Sequence, residues 1–238
     1  MTKPIQLTDA AFYYKKWLHQ KEAWEWLQLQ QAPEVMAEFA ERYRDSPEPK
    51  PQTPQSGYIT PELMQAITGH PAASFDAAFC NDFNDMLEST GFDQHLDAMQ
   101  MLMANLCHES GGFVFMKEID PGHYLEGRSD LGNCIPGDGP RFRGCGPLQV
   151  TGRVNHQASA DWLRDHRGID DGKIMDVGTD YSAEHYPFTI AIPWLLNNDL
   201  LTVCLHQGFD ACCVKINGGW NGYDDRCKWY AKCQKVMV

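Results

Sequence analysis

The chain has 238 residues and a formal charge of −12, a length that fits one large domain or a medium domain with a small appendage. Such an acidic balance argues against nucleic acid as a partner, and no 18-residue apolar run is present to insert stably in a membrane. Hydrophobic residues make up 43% of the chain and seven are Trp, enough for a packed core.

The start, Met1-Thr2-Lys3-Pro4-Ile5-Gln6, lacks the apolar stretch of a signal peptide. The expectation is a protein kept in the cytoplasm where it is made until something else releases it. Nine cysteines would suggest disulfides in a secreted protein, but the number is odd and Cys212 and Cys213 are adjacent. Free, mostly buried thiols are expected. No CxxC pair occurs, the His residues lack ligand spacing, and the zinc-peptidase pattern begun by His108-Glu109 has Gly112 where its second His belongs. The expectation is no metal and no cofactor.

Residues 8 to 45 read as short helices. Thr8 or Asp9 can cap the first, Trp17, Trp24 and Trp26 supply a small core, and Val35, Met36, Phe39, Ala40 and Tyr43 recur at helical intervals. Residues 1–45 are expected to be a small helical module, marginal alone because so short a segment buries little apolar area. Its function is either none beyond packing or docking to a wall or virion component. Residues 46–57, with Pro47, Pro49, Pro51 and Pro54, form a semi-rigid spacer, and residues 58–238 the main domain. Charge divides unevenly: residues 1 to 57 are net −1, and Lys215, Arg226, Lys228, Lys232 and Lys235 give the acidic remainder a basic end.

The main domain opens with Thr60 as an N-cap and Pro61 at the first helical position. A helix over 62–68 follows, then one from about 75 to 89 and a long one from about 93 to 110. In that third helix Phe92, Leu96, Met99, Met103 and Leu106 form one apolar face, which Glu109 continues. A carboxyl in such apolar surroundings would hold its proton more tightly than usual. Gly111-Gly112 then supplies the permissive backbone of a helix end.

Glu118 comes nine residues later, beside the turn Asp120-Pro121-Gly122, where a carboxylate would be wet and ionised. One proton-bearing and one ionised carboxyl are what glycosidic hydrolysis uses, the first protonating the leaving oxygen and the second activating water. On spacing alone, a Glu at a helix end and a Glu in a loop are also ordinary. Residues 119–146, rich in Gly, Pro and Asp, read as a cleft-lining loop. Leu148 to Gly152 reads as a short extended piece with Gln149 and Thr151 on one face, Asp161 to His166 as part of a helix, Trp194-Leu195-Leu196 as core, and Phe209 to Ile216 as a helix stopped by Asn217-Gly218-Gly219. His185 and His206 read as surface or satisfied core histidines rather than ligands.

The helix, His108-Glu109-Ser110-Gly111-Gly112-Phe113, a carboxylate nine residues on, the run from Arg141 to Asn155 and the segment Ile216 to Gly222 with Arg226 and Tyr230 together resemble the family 19 glycoside hydrolases, over roughly residues 58 to 235. That family comprises plant-type and bacterial chitinases and a branch of bacteriophage endolysins, and the wording here is nearer the endolysin branch. The resemblance implies a mainly α, lysozyme-like fold with two lobes about a cleft. It also implies inverting hydrolysis of β-1,4 bonds between amino sugars, with carboxyls about 6.5 to 9.5 Å apart. By resemblance Glu109 is the acid, Glu118 the base and Thr151 the hydroxyl that helps hold water, while Gln149, Asn155, Asn217 and Arg226 contact the sugar or position the carboxyls. Trp220 and Tyr223 are candidates for stacking on a sugar face, although aromatic residues there are as often core. Cys145 departs from the pattern, where Arg is usual.

Bacterial peptidoglycan is the expected partner, reached late in infection through a membrane lesion or from a virion. Chitin is the alternative substrate, and a wall-binding virion component with a degenerate catalytic domain is the alternative class. A peptidase acting on wall cross-links is weaker, lacking a zinc triad or Cys-His pair.

Overall fold

The computed structural model describes residues 58–238, so the expected module at 1–45 and spacer at 46–57 lie outside the described residues. Ten α-helices are described, numbered here from the first: α1 Pro61–Thr68, α2 Ala77–Thr90, α3 Leu96–Ser110, α4 Asp138–Arg141, α5 Arg153–Arg167, α6 Lys173–Asp176, α7 Thr179–His185, α8 Ile192–Asn197, α9 Leu200–Asn217 and α10 Tyr223–Val236. Among the described residues there is no strand beyond the isolated bridges Lys117 to Cys145 and Cys145 to Val150, and no helix long and apolar enough to cross a membrane.

The helix signals act as expected at most ends. The Thr60 side chain accepts from the Leu63 amide at 3.2 Å, and Asp76 caps α2 through the Phe79 amide at 2.8 Å. The expected helix at 93–110 is divided: Phe92–Gln94 forms a 3-10 turn and the α-helix starts at Leu96. The apolar face persists across the break, with Phe92, Met99, Met103 and Leu106 buried. α3 is the central element, packed mainly against α10 and α9. The expected helix at 209–216 is the second half of α9, whose backbone leaves helical geometry at Gly208. Of the expected core residues 194–196, only Leu195 is fully buried, and Leu196 is exposed.

All nine cysteines are free, seven of them buried. Cys145 is fully buried, and burial pushes its thiol well up. A neutral group therefore fills the position where the resembling family carries a cation.

Two buried titratable groups give the fold a specific pH response. Asp82 on α2 accepts from the Phe188 amide at 2.7 Å and from the Thr189 amide and hydroxyl at 3.2 and 2.6 Å; burial pushes it from 3.8 up to about 6, the hydrogen bonds opposing. His156 on α5, between the Gly152 carbonyl and the Thr179 hydroxyl, is pushed by burial from 6.5 down to about 4. A raised acid loses its stabilising contribution as pH rises from about 4 to 6, and a depressed base loses its contribution as pH falls over nearly the same window. Each is worth about 2–3 kcal/mol, so the two slopes oppose one another. Asp82→Asn should expose the histidine's slope alone. Urea titrations at pH 4, 5 and 6 are expected to show the wild-type advantage over this variant shrinking by about 2 kcal/mol as pH rises; a constant difference would refute the assignment.

Candidate active site

The segment 108–118 makes a reversal that Ser110 to Phe113 shape. The Ser110 hydroxyl donates to the Leu106 carbonyl at 2.6 Å and accepts from the Phe113 amide at 2.8 Å, closing the end of α3. Gly111, Gly112 and Phe113 follow with φ of 60°, 71° and 69°, three successive left-handed residues. That conformation is unstrained for glycine and costs a β-carbon-bearing residue about 1–2 kcal/mol. Phe113 tolerates it because its ring is set among Phe79, Phe83 and Phe188, with centroids 5.8 Å from each. The chain then turns back, and Lys117 and Glu118 meet the segment Gly144–Cys145, the Glu118 amide donating to the Gly144 carbonyl at 2.9 Å.

Glu109 does not lie in the apolar setting expected from the helix stripe. It forms an ion pair with Arg226 of α10, which is 1% exposed. Arg226 also donates to Asn105 Oδ1 at 2.7 Å and to the Asn221 carbonyl at 3.2 Å. The Asn217 side chain donates to that same carbonyl at 3.1 Å. Arg226 is therefore an interior cation serving the acid candidate and not part of a basic surface. Immediately before these partners, His108 and Asp225 join α3 to α10 at 2.8 Å, and Trp229 Nε1 donates to Asp225 at 3.1 Å.

Glu118 has a different environment, half-buried and held by two donors. The Gly144 amide donates to Oε2 at 2.8 Å and the Tyr124 hydroxyl to Oε1 at 2.5 Å. The bond to Glu118 and burial push the Tyr124 hydroxyl up to about 12, which keeps it a donor throughout the neutral range. A β-carbon at 144 would come within 2.4 Å of Gln149 Oε1 and 3.2 Å of Glu118 Cβ, so a larger residue there would push the Gln149 amide out of its place.

Residues 148–152 form a tight turn and not the extended piece expected. The Gln149 amide donates to the Gly146 carbonyl at 3.1 Å, and Gln149 has φ of 51°, so the alternation argument fails. Gln149 and Thr151 nevertheless line one hollow of about 230 Å³ with Asn155, Trp194, Leu148 and Ile216. Their donors are spent locally: Gln149 Nε2 on the Gly146 carbonyl, Thr151 Oγ1 on the Gln149 carbonyl and Asn155 Nδ2 on the Thr151 carbonyl, at 2.9, 2.8 and 2.7 Å. The single hydroxyl hydrogen of Thr151 is thereby used, whereas the Gln149 and Asn155 amides each keep a carbonyl oxygen and a second N–H to offer a ligand.

The cleft-side loop is buttressed despite its composition. Arg153 grips Asp138 through two bonds, at 2.8 and 2.5 Å, and its amide donates to buried Asn133 at 2.9 Å. This fixes the start of α5, and with it Asn155.

Contacts thus lead from Glu109 through Arg226 and the Asn221 carbonyl to Asn217, next to Ile216 of the hollow, and from the hollow through Gln149 and Gly144 to Glu118. Trp220 is not among the hollow's lining residues; it is 60% exposed, its ring edge-on to Tyr223 at 4.9 Å. Tyr124, Asn105, Trp194 and the Asn221 carbonyl were not singled out as site residues from sequence. Asn105, a polar residue one turn before Glu109 on a buried helix, is the one with a readable signal. No cluster of three or more His, Cys, Asp or Glu side chains with metal-site geometry occurs among the described residues.

Comparison with known proteins gives consistent relatives. No family model matches the chain. A protein of Arabidopsis thaliana named endochitinase is 31% identical over 166 residues, covering 70% of this chain and 49% of that protein. A glycosyl hydrolase family 19 domain-containing protein of Haemophilus influenzae is 28% identical, covering 55% of this chain and 75% of that protein. The chain spans about half the length of the Arabidopsis relative. In structure it is similar to chitinase C of Streptomyces griseus HUT6037, with a TM-score of 0.53 at 16% identity, over 77% of this chain and 94% of that one; that likeness concerns the fold alone. On the sequence side the chain is thus similar to proteins named as endochitinase and as family 19 glycosyl hydrolase, and on the structural side it shares the fold of a chitinase.

Proposed function

We propose that the chain hydrolyses β-1,4 bonds between amino sugars by an inverting acid and base mechanism. The observation that carries this reading is the contrast between two carboxyls joined by one tight reversal, one set on a buried guanidinium and the other on an amide and a phenol, with a hollow lined by Gln149, Thr151, Asn155, Trp194 and aliphatic side chains reached from Glu118 through Gly144 and Gln149. Glu109 is the general acid: its carboxylate, paired with Arg226 in the structure, takes up a proton when bound substrate excludes water, passes that proton to the leaving oxygen and returns to the pair. Glu118 is the general base, its lone pairs aimed by Gly144 and Tyr124. Thr151, whose hydroxyl hydrogen is already engaged, accepts a hydrogen from the attacking water while Glu118 takes the other. Gln149 and Asn155 present oxygens to sugar hydroxyl or amide groups, Asn217 and Arg226 hold the far wall, and Trp220 offers an exposed ring for a sugar face.

Within that chemistry we propose peptidoglycan as the polymer and a lysozyme-type endolysin role, supported by the endolysin-like wording of the segments 108–113 and 148–153. Chitin is the second reading, favoured by the names of the Arabidopsis and Streptomyces relatives. Digestion of purified peptidoglycan and of chitin oligomers, followed by proton NMR of the first-formed reducing ends, tests both parts. The expected result is wall cleavage giving the α-anomer first. β-Anomer product would overturn the water-based mechanism, and chitin cleavage with an untouched wall would overturn the polymer assignment.

A further inference from the structure

A second depression begins one residue before Glu118. It is an open groove of about 400 Å³, lined by Val114, Phe115 and Ala183 together with Lys117, Asp180 and Glu184. Its chemistry is unlike that of the hollow beside Gln149 and Thr151, which has no charged side chain in its lining. Here Val114 and Phe115 are 56% and 49% exposed, and Asp180 receives Lys117 Nζ at 2.5 Å and Arg143 Nη2 at 2.7 Å. Uncharged sugars give such a row of cations and carboxylates nothing to neutralise.

We propose that this groove takes the short peptide carried on the lactyl group of a peptidoglycan sugar while the glycan lies in the neutral hollow. The inference rests on the peptidoglycan reading above. A wall peptide combines small methyl side chains, free carboxylates and, in many walls, a free amine. The methyl groups match Val114, Phe115 and Ala183. A peptide carboxylate matches Lys117 and Arg143, and an amine matches Asp180 and Glu184. Of the two ion pairs at the groove, Lys117 to Asp180 is half-exposed, at 44% and 52%, and such a pair contributes little net stability, so a ligand can exchange into it cheaply, while Arg143, 14% exposed, stays as a fixed cation beneath. The groove is also continuous with the proposed chemistry, because Lys117 is the chain neighbour of Glu118 and shares its bridge to the segment 144–145.

The test compares intact peptidoglycan with the same glycan stripped of its peptides by an amidase, using the full chain. Wild type is expected to cleave intact strands with kcat/KM about tenfold above that on stripped strands. Glu184→Lys and Val114→Ser, both on exposed side chains outside the proposed acid and base, should bring that ratio close to one through KM, with stripped-strand cleavage unchanged. A soluble wall tetrapeptide titrated into Glu109→Gln should shift amide resonances of residues 114–117 and 180–184, and do so more weakly when Glu184→Lys is added. Equal wild-type cleavage of the two substrates, or equal losses on both in the variants, would overturn the groove's role and leave the wall reading intact. Cleavage of chitin oligomers with neither wall substrate touched would overturn the wall reading and the groove's occupant together.

Discussion

Glu109→Gln is expected to lower kcat by about 10²–10⁴-fold, the span of a positioned general acid, with little change in substrate binding but a loss of stability, because buried Arg226 keeps its hydrogen bonds and loses its counter-charge. The amide keeps the carboxyl's shape and retains an oxygen to accept from Arg226, which stays anchored to Asn105 and the Asn221 carbonyl. What is lost is the transferable proton. Steady-state kinetics on the cleaved polymer, with binding measured separately by pull-down of insoluble substrate, checks both halves. Unchanged turnover would remove Glu109 from the mechanism, and binding by a wild type that shows no turnover would favour a structural wall-binding protein.

Arg226→Met is expected to be the most destabilising single change at the site. Methionine fills part of the volume, but the variant removes the donor from Asn105 Oδ1 and one of two donors from the Asn221 carbonyl, and leaves the Glu109 carboxylate, 27% exposed on its side chain, without its counter-charge. Breaking one half of a buried ion pair costs about 3–5 kcal/mol, and the partial hydration available to Glu109 places this case near the lower end. Urea denaturation measures it, and combining the variant with Glu109→Gln separates charge from packing. If the ion pair is the main term, Arg226→Met should cost clearly less in the Glu109→Gln background, because an amide left alone there is cheaper than a carboxylate. An equal cost in both backgrounds would assign the effect to Asn105 and Asn221 instead.

The contrast between these two residues shows what a linear sequence can and cannot disclose. The apolar periodicity from Phe92 to Leu106 located the helix and its buried face, and Gly111-Gly112 located its end, because both are local regularities. The stripe misdescribed the surroundings of Glu109, since the cation that meets it arrives from α10, more than a hundred residues later. Tyr124 on Glu118 is likewise a consequence of how the loop returns, with no periodic signature. The turn at 146–149 escaped the alternation argument because Gln149, a residue type that seldom adopts positive φ, does so under the constraint of the Cys145 to Val150 bridge. Pairwise local rules found the elements; the partners of each carboxyl depend on contacts that only the closed fold creates.

Phe113 carries a consequence for how this protein could vary. Its ring is wedged in an aromatic stack with Phe83 and Phe188, themselves face to face at 4.0 Å, while its backbone forms the hairpin bend between the two carboxyl-bearing residues. The spacing of the two proposed catalytic carboxyls thus depends on how these rings pack. A conservative exchange such as Phe188→Leu would retune catalytic spacing from inside the core, so drift in an interior that looks merely greasy is one route by which members of such a lineage could come to differ in rate or stereochemical fidelity while every polar residue at the surface of the cleft stayed the same.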